Sequence, residues 1–307
     1  MAPKHQPFTQ RQKMKKAIYE IFHYKDEYLN EVALHHHDFY EIYFFVSGNV
    51  NYNIESRNYL LTPGDILLIS PMELHQPVFT QDRHIYERYV LWIHKNFLEQ
   101  LDQMGAGMSR CFDTTRPEHT NLIRPDGTKR EYLSFLLGQL MLESESQEYA
   151  SELGGLSLLT QILVLINRMA IYGEHPNEAK TASDSVVYRV LSYINEHYNE
   201  DLSLDFLANK FFVSKYHLSR EFNRLVGTSV YRYIIQKRLV MAKQMMSSGV
   251  SSTVVYQHCG FGDYSNFYRA FKAEYQISPK EFAASFRQEG SERDTLRRLQ
   301  RERAEKK

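Results

Sequence analysis

His35, His37, Glu41 and His75 are the residues of this chain whose types and spacing could do chemistry at one point. Imidazole nitrogens and a carboxylate are the donors that transition metals take from proteins, and the same groups make hydrogen bonds to a polar organic ligand. Three roles stay open here: metal ligation, the polar lining of a ligand pocket, and hydrogen bonding that only closes the mouth of a sheet. A second set offers charge instead of reactivity. Arg220 and Arg269 lie 49 residues apart in two matching stretches, Ser214-Lys215-Tyr216-His217-Leu218-Ser219-Arg220-Glu221-Phe222 and Asp263-Tyr264-Ser265-Asn266-Phe267-Tyr268-Arg269-Ala270-Phe271. A guanidinium on an exposed helix face can hold both acceptors of a guanine edge. No phosphate-binding glycine loop, nucleophile elbow or cysteine-based constellation occurs, so nothing outside the histidine cluster supports an enzyme.

The two arginines need helices to present them. Each stretch opens on an N-cap residue whose side-chain oxygen can take an orphan backbone N–H, and each repeats apolar residues at i and i+4. At the same offset Ser203 matches Ser252 before a preceding helix, Phe212 matches Phe261 in the turn, and Ser229 matches Ser278 at a following cap. The pattern is helix, tight turn, helix, written twice. Between the copies, Ser229–Ser247 reads as a helix with Val230, Ile234, Leu239, Ala242 and Met246 buried and no internal Gly or Pro. Such a strut spans on the order of 27 Å. It can therefore hold two helices at successive major grooves, which recur about every 34 Å.

With Leu218, Phe222 and Leu225 committed to packing, Tyr216, Ser219 and Arg220 face outward on the first helix. On the second, Tyr264, Ser265, Asn266, Tyr268 and Arg269 do so. Arg220 and Arg269 suit guanine, Asn266 suits adenine, and Tyr216 suits thymine methyls or phosphate. Lys215, Arg238 and Lys272 read as phosphate clamps, which position a protein on DNA without specifying sequence.

The histidine cluster needs strands. Glu41–Val46, Asn51–Ile54, Ile66–Ile69 and Tyr86–Ile93 are short apolar-aromatic runs separated by Ser47-Gly48-Asn49, Thr62-Pro63-Gly64-Asp65 and Ser70-Pro71. Turn residues at this spacing predict a small antiparallel β-barrel. Glu41 with Tyr43, and Glu87 with Tyr89, sit at i and i+2 and so share a strand face. If both faces are interior, the barrel gathers carboxylates, imidazoles and phenols, a lining suited to a polyhydroxylated ligand such as a sugar or small glycoside. A plain tyrosine-rich core is the competing account, since the chain has 22 Tyr. Arg130–Ser144 and Leu153–Tyr172 follow as helices. The stripe Leu156, Leu159, Leu163, Ile166, Ala170 serves either as a dimer seam, the reading preferred, or as packing against the barrel.

Composition fits two domains. The 307 residues are 43% hydrophobic, enough for two cores. Net charge is zero, but residues 1–183 carry 17 Lys+Arg against 23 Asp+Glu and residues 184–307 carry 20 against 14. The basic half is the one that would meet a polyanion. Cys111 and Cys259 are too few for a disulfide framework or zinc site and read as buried thiols. With no apolar signal core and no run of roughly 18 apolar residues, the expected place is the cytoplasm, away from membranes.

From about Val186 to Phe286 the chain resembles the DNA-binding domain of the AraC/XylS family of bacterial transcription regulators. The likeness is carried by Cys259-Gly260-Phe261-Gly262-Asp263-Tyr264-Ser265-Asn266-Phe267-Tyr268-Arg269-Ala270-Phe271-Lys272 and by Ile277-Ser278-Pro279-Lys280-Glu281-Phe282. One departure is Gln276, where the family places Gly. Gln276 must take the left-handed conformation, at a cost of about 1 kcal/mol, or reshape the turn. Ahead of that domain, His35-His36-His37-Asp38-Phe39-Tyr40-Glu41, with Gly48, Pro63-Gly64-Asp65 and His75, resembles a cupin barrel. His35, His37 and Glu41 follow the first cupin metal motif, but Gly64 to Pro71 is one residue longer than the second.

The expected fold is thus two-domain: an N-terminal antiparallel, cupin-like β-barrel with flanking helices, then an all-α domain with two helix-turn-helix motifs. Residues 1–172 form the effector-binding and dimerisation domain, 173–185 the linker, 186–288 the DNA-binding domain and 289–307 a charged tail. The resemblance implies a regulator, not an enzyme, that binds double-stranded promoter DNA as a homodimer, with RNA polymerase as a further partner. His35, His37, Glu41, Tyr43, His75, Glu87 and Tyr89 are assigned to the effector pocket with no cofactor or metal. The competing function is a metal-binding cupin sensor or enzyme fused to a DNA-binding domain.

Overall fold

The computed structural model describes residues 12–27, 29, 31–79, 85–173 and 185–285. By internal contacts the chain divides into two units, Met1–Tyr188 and Arg189–Lys307. Of the expected linker only Gly173 and Ser185 fall among the described residues, and the expected charged tail lies outside them.

The first unit begins with β1 (Tyr19–Asp26), β2 (Tyr40–Ser47), β3 (Val50–Ile54), β4 (Arg57–Leu60), β5 (Ile66–Ile69), β6 (His75–Phe79) and β7 (Tyr86–Ile93). Then come α1 (Lys95–Gln103), a 3-10 turn at Arg110–Phe112, β8 (Leu122–Ile123), α2 (Gly127–Glu145) and α3 (Ser151–Tyr172). The strands make two antiparallel sheets, one in the order β1-β7-β2-β5-β8 and one in the order β4-β3-β6. Because side chains alternate across a strand, β2 feeds two cores. Tyr43 and Phe45 pack with Phe39, Tyr52, Ile54, Tyr86 and Trp92 between the sheets. Ile42 and Phe44 point the other way, into a layer with Leu91, Ile93, Leu133, Leu137, Leu159 and Leu163 beneath α2 and α3. Both faces are covered, which is why β2 reads as a nearly continuous apolar run.

That second layer corrects the preferred reading of the α3 stripe. Leu159, Leu163 and Ile166 are fully buried within their own protomer, so they are spent on the sheet and cannot form a dimer seam. By length and composition α3 could also cross a bilayer, but its apolar face is occupied by the same packing.

The division between units falls inside α4 (Val186–His197), which is followed by α5 (Leu204–Lys210), α6 (Lys215–Val226), α7 (Val230–Ser247), α8 (Ser252–His258) and α9 (Tyr264–Tyr275). Helical residues resume at 279. Ser203, Ser214, Ser229, Ser251 and Asp263 each cap a helix by accepting a backbone N–H. Ser278 and Glu281 form a reciprocal capping box. Leu218, Phe222 and Val226 are the buried residues of α6, whereas Leu225 is only half-buried, one position off the expected stripe.

The duplication holds, with one slip. Caps Ser214 and Asp263, and the left-handed residues Gly227 and Gln276, keep the offset of 49. The preceding helices keep 48: cap Ser203 corresponds to Ser251, and the bonds Phe211 N–H to Leu207 O and Val213 N–H to Ala208 O correspond to Cys259 to Val255 and Phe261 to Tyr256. Gly262 is the extra residue, lengthening the second turn. The structural counterpart of Phe212 is therefore Gly260, not Phe261, and both adopt positive φ, 56° and 76°.

Candidate functional site

Two sites emerge, one in each unit. In the helical unit, α6 presents Tyr216, Ser219 and Arg220 on an exposed groove, joined by Asn223 and Arg224, which sequence reading missed. Their i, i+3 and i+4 relation to Ser219 and Arg220 was the available signal. Lys215 is exposed and ion-paired with Asp205. Arg220 lies 3.5 Å from Glu221, and Arg224 lies 2.8 Å from the same carboxylate. Exposed pairs of this kind are weak enough to exchange for phosphate or a base edge.

On α9, Ser265, Asn266 and Arg269 are exposed, and Arg269 Nη2 donates to Asn266 Oδ1 at 2.6 Å. Asn266 in turn donates to Asp263, so one chain of polar groups fixes this face. Tyr231 and Arg232, at the start of α7, share a groove with Asn266 and Arg269 and were also missed. Lys272 is exposed, with its ammonium 5.9 Å from the Tyr268 ring. Tyr268 is half-buried.

Two expected contacts sit elsewhere. Tyr264 is half-buried against the domain core, its ring 5.7 Å from Tyr256 and 5.9 Å from Phe267, because the first turn of α9 rotates it toward α8. Arg238 turns inward: Nε and Nη2 donate to the carbonyls of Tyr198 and Glu200 at 2.8 and 2.7 Å. Its guanidinium is spent on carbonyls that follow α4 rather than reaching out as a clamp, although the side chain also lines the groove of Asn266 and Arg269.

In the sheet unit, His35 and His75 face each other across an isolated bridge, with backbone bonds of 3.2 and 2.9 Å. His37 precedes β2, and Glu41 is on it. All four side chains are buried. The donor atoms of His37, Glu41 and His75 lie within 4.8 Å of one another. The Nδ1 atoms of His35, His37 and His75 face the carbonyls of Ala33, Phe39 and Glu73 at 2.9, 2.9 and 2.8 Å. A carbonyl only accepts, so each Nδ1 carries the proton. Burial, reinforced by neighbouring histidines, lowers the His35 pKa to about 4 and that of His75 well below its usual value. Those two rings are neutral at pH 7.

Glu41 Oε2 accepts from Trp92 Nε1 at 2.9 Å. Tyr43 is buried beside it, its hydroxyl 2.5 Å from that of Tyr86. Glu87 and Tyr89 do not join this set. Glu41 pairs with Trp92 and Tyr43 with Val90, which puts even-numbered β7 residues on the interior face and Glu87 and Tyr89 on the other. There Glu87 pairs with His23 and Lys25 at 2.9 and 3.2 Å, and Tyr89 stacks on His23. The interior instead receives Arg88, ion-paired with Asp26 and lying 4.1 Å over the Tyr86 ring, together with Tyr52. Burial raises the pKa of the Tyr43, Tyr52 and Tyr86 hydroxyls, keeping them protonated. The strand register is the signal that separates these two sets, and a single strand's sequence does not carry it.

Comparison with known proteins matches both units. An AraC-like ligand binding domain covers residues 18–163, and a helix-turn-helix domain covers residues 207–285. The HTH-type transcriptional activator RhaS of Salmonella schwarzengrund (strain CVM19633) is 26% identical over 258 residues, covering 80% of this chain and 86% of that protein. RhaS of Salmonella typhimurium is 25% identical over the same shares. Among solved structures, an apo ToxT variant from Vibrio cholerae aligns over 88% of this chain and 98% of its own, at 16% identity and TM-score 0.36. A Chromobacterium violaceum transcriptional regulator with an AraC-type DNA-binding domain aligns over 34% of this chain and 94% of its own, at 28% identity and TM-score 0.32. With an AraC-like ligand-binding domain preceding duplicated, arginine-bearing helix-turn-helix motifs, the chain belongs to the AraC family of DNA-binding transcription regulators.

Proposed function

We propose that this regulator reads two neighbouring major-groove sites through α6 and α9, under the control of a sugar or small glycoside bound between its sheets. The observation that carries the DNA reading is the equivalence of the two exposed helix faces: Arg220 and Arg269 occupy the same position after caps Ser214 and Asp263. The strut α7, 18 residues long, spans about 27 Å. Base readers are Tyr216, Ser219, Arg220, Ser265, Asn266 and Arg269. Lys215, Lys272 and Arg232 are placed to neutralise phosphates, and Tyr268 supports Lys272.

The sugar reading rests on the interior composition. Tyr43, Tyr52, Tyr86 and Trp92 offer ring faces, while Asp26, Glu41, Arg88 and the histidines offer donors and acceptors. Apolar sugar faces take the former and hydroxyls the latter. Effector binding would shift the population of DNA-competent arrangements. Calorimetric titration with a panel of monosaccharides and glycosides tests this reading. Heat from at least one, lost in Arg88→Met, supports it; heat only from aromatic acids overturns it.

Action as a homodimer and contact with RNA polymerase complete the reading, as does a cytoplasmic location. Since the α3 stripe is spent, the dimer seam is assigned to α2, where Tyr132, Phe135 and Leu142 are exposed at spacings of three and seven. For DNA, Arg269→Ala should weaken binding to the specific site by about 1–3 kcal/mol while leaving effector heat intact. Unchanged sequence preference in a competition footprint would remove Arg269 from the base readers.

A further inference from the structure

The cluster at the start of β2 holds more acceptors than its surroundings can satisfy. With each Nδ1–H directed at a carbonyl, Nε2 is the nitrogen left facing the cluster on His37 and His75, and both Nε2 atoms are buried with no hydrogen-bond partner among the described residues. Glu41 adds a carboxylate. Its Oε2 lies 3.2 Å from His37 Nε2, without hydrogen-bond geometry. Two imidazole lone pairs and a carboxylate thus converge in a buried space with only the Trp92 N–H as a donor among the contacts described. Buried acceptors left in this state cost free energy, and like acceptors repel one another.

We propose that His37, Glu41 and His75 bind one divalent first-row transition metal ion, such as Zn²⁺, Fe²⁺ or Co²⁺. Two imidazoles and one carboxylate are the donor set such ions take, and they leave coordination positions open for water or a ligand oxygen. The surroundings are arranged as metal sites require. Backbone carbonyls hold each Nδ1–H and fix which nitrogen faces the centre, and the Trp92 indole N–H orients Glu41. Phe39 stacks on His37 with ring centroids 4.0 Å apart and also contacts Trp92, giving the site an apolar wall. Donors around one ion stand roughly 3–3.5 Å apart. The Glu41–His37 separation of 3.2 Å already meets this, and all three donor atoms lie within 4.8 Å of one another, so binding draws the His75 nitrogen inward. His35, its ring 4.2 Å from His75, packs behind that ligand. The inference stands apart from the sugar reading, because metal content is measured without any effector.

The test uses the full chain with any affinity tag removed. After stripping with EDTA, the protein is incubated separately with Zn²⁺, Fe²⁺ under anaerobic conditions, and Co²⁺, then desalted and analysed for metal by plasma mass spectrometry. The expected result is about one ion per chain for at least one of the three, with a raised thermal midpoint and, for Co²⁺, visible d–d absorption from nitrogen and oxygen ligation. His75→Gln and Glu41→Gln should lose at least about tenfold in affinity, and Trp92→Phe, which leaves all three ligands in place, should lose affinity to a lesser degree. His36→Gln should bind as the unaltered chain does. No stoichiometric metal and no cobalt spectrum in the unaltered chain would mean that a proton alone relieves the cluster, and would overturn the proposal. So would a stoichiometric ion retained by His37→Gln/His75→Gln.

Discussion

Gly260→Ala is expected to be among the most damaging small substitutions in the helical unit. Gly260 has φ of 76°, where an alanine costs about 1–2 kcal/mol. A Cβ there would also lie 2.7 Å from Asn199 O and 2.8 Å from Asn199 C and Cα. Those are backbone atoms that cannot swing aside, so the loop after α4 must move, at a further cost of about 1–3 kcal/mol. The sum, about 2–5 kcal/mol, is a large share of a domain's usual net stability of about 5–15 kcal/mol. The counterpart in the first motif gives the opposite expectation. Phe212 has φ of 56° and is 95% exposed, so Phe212→Gly relieves strain and loses no packing. After the added chain entropy of glycine, it should be neutral to about 1 kcal/mol stabilising. Urea unfolding of the full chain measures both. Ellipticity at 222 nm follows the helices of both units, while the single tryptophan, Trp92, reports the sheet unit by fluorescence and should not move, so a shift in ellipticity alone belongs to the helical unit. A Gly260→Ala loss below about 1 kcal/mol, or an equal shift of the tryptophan transition, would refute the reasoning.

Other substitutions separate structural roles from functional ones. Arg238→Ala should destabilise the helical unit by about 1–3 kcal/mol, because two carbonyls lose their donors, with the salt dependence of DNA binding unchanged in parallel titrations. Gln276→Gly should be neutral to about 1 kcal/mol stabilising in urea melts, since Gln276 holds φ of 61° in an exposed cap. Phe135→Glu on the outward face of α2 should shift sedimentation toward the monomer without lowering the thermal midpoint, as Phe135 is 59% exposed. Leu163→Glu should instead unfold the sheet unit, because Leu163 is fully buried.

What the sequence disclosed depended on whether the signal was local. Caps, apolar periodicity and turn residues act within a few positions, and they placed α7 and α3 to within two residues and β5 and β7 at their observed bounds. β1, β4 and β6 were not foreseen: β1 mixes apolar and charged residues without regular alternation, β4 is four residues long, and β6 contains Pro77. Pairing register is a property of two strands, so Glu87 and Tyr89 were assigned to the wrong face while Asp26, Tyr52, Tyr86 and Arg88 went unseen. The inserted Gly262 was hidden by the cap residues Ser203 and Ser252, whose match at 49 was a coincidence of two adjacent serines, Ser251 and Ser252. Arg238 illustrates a third limit. A basic residue on a DNA-binding domain reads as a phosphate clamp until the carbonyls it serves, 38 and 40 residues away, are located.

The central claim is that α6 and α9 read different turns of one duplex. Selection of binding sites from a random DNA pool, run in parallel with the unaltered chain, Arg220→Ala and Arg269→Ala, tests it most directly. The expected result is that each variant loses base preference in one block, the two blocks centred about 10 base pairs apart. Loss at the same bases in both variants, or unaltered preference in both, would contradict the account.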